Sequence, residues 1–243
     1  EAKILGNLGN VYQNLGQPEE AIKYLQEALR ISKEIGDRRG EGIHYGNLGI
    51  IYKILGQYEE ALESYEEALG ITREIGDRRS EGRHHGNLGN VYQELGQNED
   101  ALESYEEALR IAKEIGDRIS EAINCGNLGN VYQELGQYED ALKYYTEALR
   151  IVREVGDKRS EGSYLGNLGV IYQRLGQSEE PLKYLQQSIE ISRQMGDQIS
   201  ECIHLGNLGD IFLSLNRLEE SKIHLLQAIK IGDEIFPLVG GVF

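Results

Sequence analysis

Tryptophan is absent from these 243 residues, and cysteine, proline and phenylalanine number only two, three and three. So little proline, beside a wealth of Leu, Ile, Glu, Ala and Tyr, indicates an all-helical soluble protein. No apolar run approaches the roughly 20 residues that a bilayer-spanning helix needs, so no membrane partner is expected. Cations are in deficit. Twenty-five Lys and Arg face 41 Asp and Glu, a formal net charge of −16, which opposes a phosphate backbone and excludes nucleic acid as the expected partner.

What is present is a repeat. Gly-Asn-Leu-Gly begins at Gly6, Gly46, Gly86, Gly126, Gly166 and Gly206, at a constant period of 40. A fixed period in this range marks a solenoid whose units bury their apolar faces only against neighbours. One elongated domain over 1–235 is expected, with repeats at about 1–36, 37–76, 77–116, 117–156, 157–196 and 197–235. Glu1-Ala2-Lys3 aligns with positions inside the first helix of later repeats, so the chain is read as starting part-way through a helix. Cys125 and Cys202 fall two repeats apart, too far for a disulfide given helix spacings of roughly 8 to 10 Å, and read as reduced, buried thiols of a cytoplasmic protein. The sixth repeat drifts, with Asn216 for Gly, Ser221 for Ala, Phe212 for Tyr and added apolar residues Leu213, Ile223 and Leu226. Beyond Pro237 the tail 236–243 is apolar, and it is expected either to fold back over the last repeat or to mediate self-association.

In the third repeat Leu88, Val91, Tyr92 and Leu95 share one face of a helix predicted from about 78 to 95, with Asp77 as N-cap and Gly96 as terminator. A second helix, about 98–115, turns Ala101, Leu102, Tyr105, Ala108, Leu109 and Ile111 inward. The order Tyr45, Leu48-Gly49, Tyr52, Ala61, Tyr65 resembles the tetratricopeptide repeat, and it returns in all six units with the first aromatic replaced by Leu5, His85, Cys125, Leu165 and Leu205. Two departures stand out: a period of 40 instead of about 34, and Gly-Asp where the family closes with Pro. This long form is similar to the repeats of Pins-type spindle-orientation adaptors, and to sensor arrays of prokaryotic regulators and STAND-type ATPases. The resemblance implies a right-handed α-α superhelical solenoid of six helical hairpins, no cofactor, and a concave groove lined by first helices.

Catalysis finds little support. His44, His84 and His204 lie whole repeats apart with no recurring nucleophile, the adjacent His84 and His85 diverge on a helix, and a structural place is expected for all five histidines. The motif glycines lie inside a helix, where each costs roughly 1 kcal/mol relative to Ala, so they need a purpose. Gly89 borders the apolar face and is expected to admit the partner helix of its own repeat; Gly86 leaves room either for an adjacent repeat or for a ligand. Glu59, Glu60, Glu63, Glu66 and Glu67 read as a solvated face, and Arg38, Arg39, Arg78, Arg79, Lys158 and Arg159 as a modest ridge with acids near by.

The asparagines are the strongest functional signal, because Asn is a poor helix-interior residue yet Asn7, Asn47, Asn87, Asn127, Asn167 and Asn207 occur in every unit. With Asn10, Asn90 and Asn130 they are read as lying opposite the Leu/Tyr face. Their amides either pair with the backbone of an extended peptide or tie adjacent first helices together. The same stripe carries Ile43, Ile50 and Ile54 in the second repeat, Arg83 and Glu94 in the third, Glu134 in the fourth and Arg174 in the fifth. An apolar ligand residue on Ile50 and Ile54, backbone held by Asn87 and Asn127, and a basic residue near Glu94 and Glu134 form the expected binding mode. The alternative for the isoleucines is burial between first helices. The function expected is a non-enzymatic scaffold for a protein or peptide partner. The sensor segment of a larger signalling ATPase is the first alternative and an engineered consensus-like array the second. The carboxylate clamp of chaperone-binding relatives is not expected, since glycine stands at Gly6, Gly46 and Gly86 where that clamp needs lysine.

Overall fold

A computed structural model describes residues 1–177 and 179–235. Among them run twelve helices and no strand: α1 (Ala2–Asn14), α2 (Pro18–Ile35), α3 (Arg38–Ile54), α4 (Tyr58–Glu74), α5 (Arg78–Glu94), α6 (Asn98–Glu114), α7 (Arg118–Glu134), α8 (Tyr138–Val155), α9 (Lys158–Arg174), α10 (Glu180–Met195), α11 (Gln198–Ser214) and α12 (Leu218–Ile235). The chain falls into two compact units, Glu1–Asn124 and Cys125–Phe243. Helices alternate as first and second members of hairpins, the layout of a tetratricopeptide-type all-α solenoid. The two helices predicted in the third repeat are α5 and α6, each ending one residue early.

Local chemistry sets these boundaries. Asp37, Asp77, Asp117, Asp157 and Asp197 each accept a hydrogen bond from the backbone N–H three residues on, at 2.9 to 3.1 Å, satisfying a donor that the helix start leaves orphaned. The Ser80 amide accordingly holds the Asp77 carboxyl below its ordinary range. Asp77→Ala is expected to lower stability by about 1 kcal/mol; an unchanged urea midpoint would show that the cap is dispensable. At the other end the chain turns through left-handed glycines such as Gly56 and Gly96, at φ 72° and 71°. Asn216 takes that role in the sixth repeat at φ 56°, a conformation that Asn tolerates better than other side chains.

Both glycines of the motif admit side chains, from different directions. A Cβ on Gly49 would lie 2.7 Å from the Tyr65 ring, and one on Gly89 2.6 Å from Tyr105, so the second glycine lets a buried tyrosine of the same hairpin cross the first helix. The first glycine receives the next repeat. A Cβ on Gly6 would meet His44 at 2.5 Å, on Gly46 His84 at 2.6 Å, on Gly126 Tyr164 at 2.5 Å and on Gly166 His204 at 2.4 Å, while Gly86 faces Asn124 at 3.4 Å. At Gly6, Gly46, Gly126 and Gly166 the missing side chain makes room for the next repeat, whereas at Gly86 a Cβ would only touch Asn124. His44, His84 and His204 are all buried in this way.

Packing runs from hairpin to hairpin. Ala61, Tyr65 and Leu69 of α4 share one buried cluster with Leu88 and Val91 of α5, and successive first helices touch, α1 on α3 and α3 on α5. The sixth repeat leaves Leu218, Ile223, Leu226 and Ile229 exposed. The tail 236–243, with its expected fold-back or self-association, lies outside the described residues.

Candidate functional site

The predicted stripe runs along the first helices, and its members divide into three groups. Ile43, Ile54, Arg83, Glu94, Glu134, Arg174 and Asn7 are exposed; Asn87, Asn127, Asn167 and Asn207 are half-buried. The remaining five, Asn10, Asn47, Ile50, Asn90 and Asn130, are engaged in packing. Asn47 Nδ2 donates to Asn10 Oδ1 at 3.1 Å, joining α3 to α1, so here the asparagines fix stacking.

Asn90 and Asn130 correct the expectation that they point away from the hairpin interior. Each accepts from a buried tyrosine hydroxyl of its own second helix, Tyr105 at 2.7 Å and Tyr145 at 2.6 Å, with Gln93 and Gln133 as second acceptors at 3.1 and 3.2 Å. The missing side chains of Gly89 and Gly129 let these rings lie across the first helix and reach the amide beyond. Ile50 needs a similar correction: it is half-buried against the cluster that holds Tyr65 and Leu88, so most of its surface is already covered.

A recurring buried glutamate at the helix starts was missed. Glu41, Glu81, Glu121 and Glu161 are at most 6% exposed, and their carboxylates are neutralised at close range. Glu81 pairs with Arg73 at 3.0 Å and with Arg78; Glu161 pairs with Arg153 at 2.8 Å and with Lys158 at 2.7 Å. Burial pushes the Glu161 carboxyl up, but its two cations outweigh that and hold it below the ordinary value. The signal was readable as Glu41, Glu81, Glu121 and Glu161, each with a cation three residues before it. The ridge cations are thereby spoken for, since Arg38 also reaches Glu74 and Arg78 reaches Glu114.

Glu81, His85 and Glu107 bring three potential metal-ligating atoms within 4.8 Å of one another. Arginines occupy them instead: Arg73 lies on Glu81 and 3.0 Å from His85 Nε2, and Arg110 on Glu107. Burial and the Arg73 charge depress the His85 pKa. Two cavities of about 680 and 560 Å³ open on the second-helix side, at Ser64 and Ser104, and none of the predicted stripe residues lines either. No helix among the described residues is long and apolar enough to cross a membrane.

A family model described as tetratricopeptide repeat matches residues 1–74, 41–114, 80–154, 119–194 and 160–234, overlapping windows that cover nearly all of the chain. The chain belongs to the tetratricopeptide repeat family. No curated protein matches the sequence. Among solved structures, this tetratricopeptide repeat chain is similar to BtubC from P. vanneervenii, at 21% identity and a TM-score of 0.80, with 93% of this chain and 95% of that one covered. It is also similar to a Signal Transduction ATPase with Numerous Domains that carries a tetratricopeptide repeat sensor, from Pyrococcus horikoshii, at 25% identity and a TM-score of 0.87. That match covers 98% of this chain and 37% of the larger protein. The apo form of the quorum sensor NprR from B. thuringiensis aligns at 20% identity and a TM-score of 0.66, over 93% of this chain and 75% of that one. The matching family is one of repeats and not of catalysts.

Proposed function

We propose that this tetratricopeptide repeat chain is a non-enzymatic, cytoplasmic scaffold that holds an extended or helical segment of a partner protein along its first helices. The observation that carries the reading is the exposure of Ile43 and Ile54, 46% and 62%, on the stripe that also presents Arg83, Asn87 and Glu94. Apolar surface left uncovered beside polar groups is what an interaction site offers. In the first unit an apolar ligand residue anchors on Ile43 and Ile54, Asn87 holds the backbone, and Glu94 favours a basic residue beyond. In the second unit Asn127, Asn167, Asn207, Glu134 and Arg174 present polar groups of the same kind.

Ile54→Asp tests this against a partner segment captured with the full chain. The substitution is expected to weaken binding by about 2 kcal/mol, the scale of an interface hot spot, with the melting temperature unchanged because the side chain is exposed. Unchanged affinity, or an unfolded variant, would move the anchor elsewhere. A second reading, the sensor segment of a larger signalling ATPase, is favoured by the similarity to the Pyrococcus horikoshii sensor over 98% of this chain. A phosphate-binding loop elsewhere in the same polypeptide would select it.

A further inference from the structure

Four hairpins of this chain carry a pair of stacked rings between their two helices. Tyr12 lies on Tyr24, Tyr132 on Tyr144 and Tyr172 on Tyr184, with centroids 5.1 to 5.4 Å apart, and Phe212 lies on His224 at 5.3 Å. The second and third repeats have serine in place of the second ring, Ser64 and Ser104, and each serine lines one of the two cavities. Tyr52 and Tyr92 line them as well, and among the described residues no ring is stacked on either.

The two clefts differ in how they are charged. In the third repeat Arg110 pairs with Glu107 and Glu114, as Arg30 and Arg150 pair with their own glutamates three before and four after. Gly70 stands at that position in the second repeat. Glycine is a poor helix former, and no packing reason accounts for it, since a Cβ there would meet nothing within 4 Å. Glu67 is thereby left without its arginine, and among the described residues no side-chain hydrogen bond or ion pair reaches Glu63, Glu66 or Glu67. Two cations stand near by: Arg38 holds Glu41 and Glu74, and Lys33 donates to the Tyr45 hydroxyl at 2.7 Å, its charge acting on Glu67 without forming an ion pair with it.

We propose that the cleft of the second repeat binds an arginine side chain of a partner polypeptide, its guanidinium against Glu67 in the space beside Gly70 and its plane on the face of the half-buried Tyr52 ring that lines the cleft and carries no stacked ring. A planar guanidinium serves both needs, forking onto a carboxylate and stacking on an aromatic face. The sixth repeat makes the same combination internally: Arg217 pairs with Glu220 and lies 4.5 Å over the Phe212 ring. The net charge of −16 draws basic segments toward the chain. This surface shares no residue with the first-helix stripe, so it stands whether or not Ile54 is an anchor.

Titration of the isotope-labelled chain with an end-blocked Gly-Arg-Gly-Arg-Gly peptide, followed by NMR, tests it. Shifts are expected at Tyr52, Glu67 and Gly70 and not at Ser104 or Arg110. Gly70→Arg, which supplies the guanidinium from the chain itself, and Glu67→Gln are each expected to raise Kd about tenfold, while Gly70→Ala binds as the parent does. Both Gly70 variants improve the helix and are expected to melt higher, which separates lost binding from lost folding. Equal affinity of the parent and Gly70→Arg, equal shifts at the Arg110 cleft, or equally tight binding of the lysine version of the peptide would each overturn the assignment and leave only a generally acidic surface.

Discussion

Gly46→Ala is expected to lower the unfolding free energy by about 1 to 2 kcal/mol, whereas the same change forty residues later, Gly86→Ala, is expected to raise it by about 0.5 to 1 kcal/mol. Both exchange glycine for the best helix former at the same place in the motif, so the propensity gain is shared. The difference lies in what each methyl group meets. At Gly46 it would sit 2.6 Å from Cε1 of His84, a ring with 1% exposure that would have to shift. Asn124 Oδ1 at 3.4 Å from the Gly86 position is in ordinary contact. A double-mutant cycle isolates the clash: in a His84→Ala background Gly46→Ala should become stabilising. If Gly46→Ala alone matches the parent in urea, the two repeats slide apart at no cost and the interlock is not a stability element.

Acid should attack the same joint. Burial first, and then the charge of Arg83, push the His84 pKa from 6.5 down to about 4; Asp77 pulls the other way, and His85 adds the smallest push. Because the folded value lies below the unfolded one, the unfolded chain binds the extra proton between these limits. Stability is therefore full above pH 6.5, falls as the pH drops toward 4, and levels off below, a loss of about 3 kcal/mol from this ring if the whole shift is realised. Burial depresses His44 and His204 in the same direction. The carboxylates act in a lower window. Asp77, Asp157 and Asp197 have depressed values, so their contribution is complete above the ordinary carboxylate range and disappears only as pH falls through their folded values. Urea midpoints at pH 7 and 4.5 should separate widely in the parent and much less in His84→Asn, which borrows the residue of the Asn124 rung. Identical pH dependence in the two would place the acid lability elsewhere.

What could be read from the chain, and what could not, follows from how far each contact reaches along it. The helix pair of the third repeat was legible because Asp77, Gly96 and the spacing of Leu88, Val91 and Tyr92 act within one or two turns. Gly89 was legible for the same reason, as it borders a face the periodicity defines. Asn90 was misplaced because its partner, the Tyr105 hydroxyl, arrives from fifteen residues away across a glycine. A helical wheel shows only the side from which a residue leaves its own helix. Ile50 was misplaced by the neighbour it cannot foresee: it shares a cluster with Leu88 and Val91 of the following repeat. Glu81 could have been found, since a glutamate with Arg78 three residues before it and Arg73 eight before recurs along the chain in kind. Ser64 and Gly70 were visible too, as interruptions of the repeat.

The joint between repeats has one strict half and one permissive half. Its socket is glycine at Gly6, Gly46, Gly86, Gly126 and Gly166, while the plug is His44, His84, Asn124, Tyr164 and His204 in turn. Any duplicated unit carries its own socket and its own plug, so a lengthened chain needs no newly evolved contact at the seam. Copying error can therefore add length in a single step, and later substitutions at the plug can diversify each seam without touching the rest.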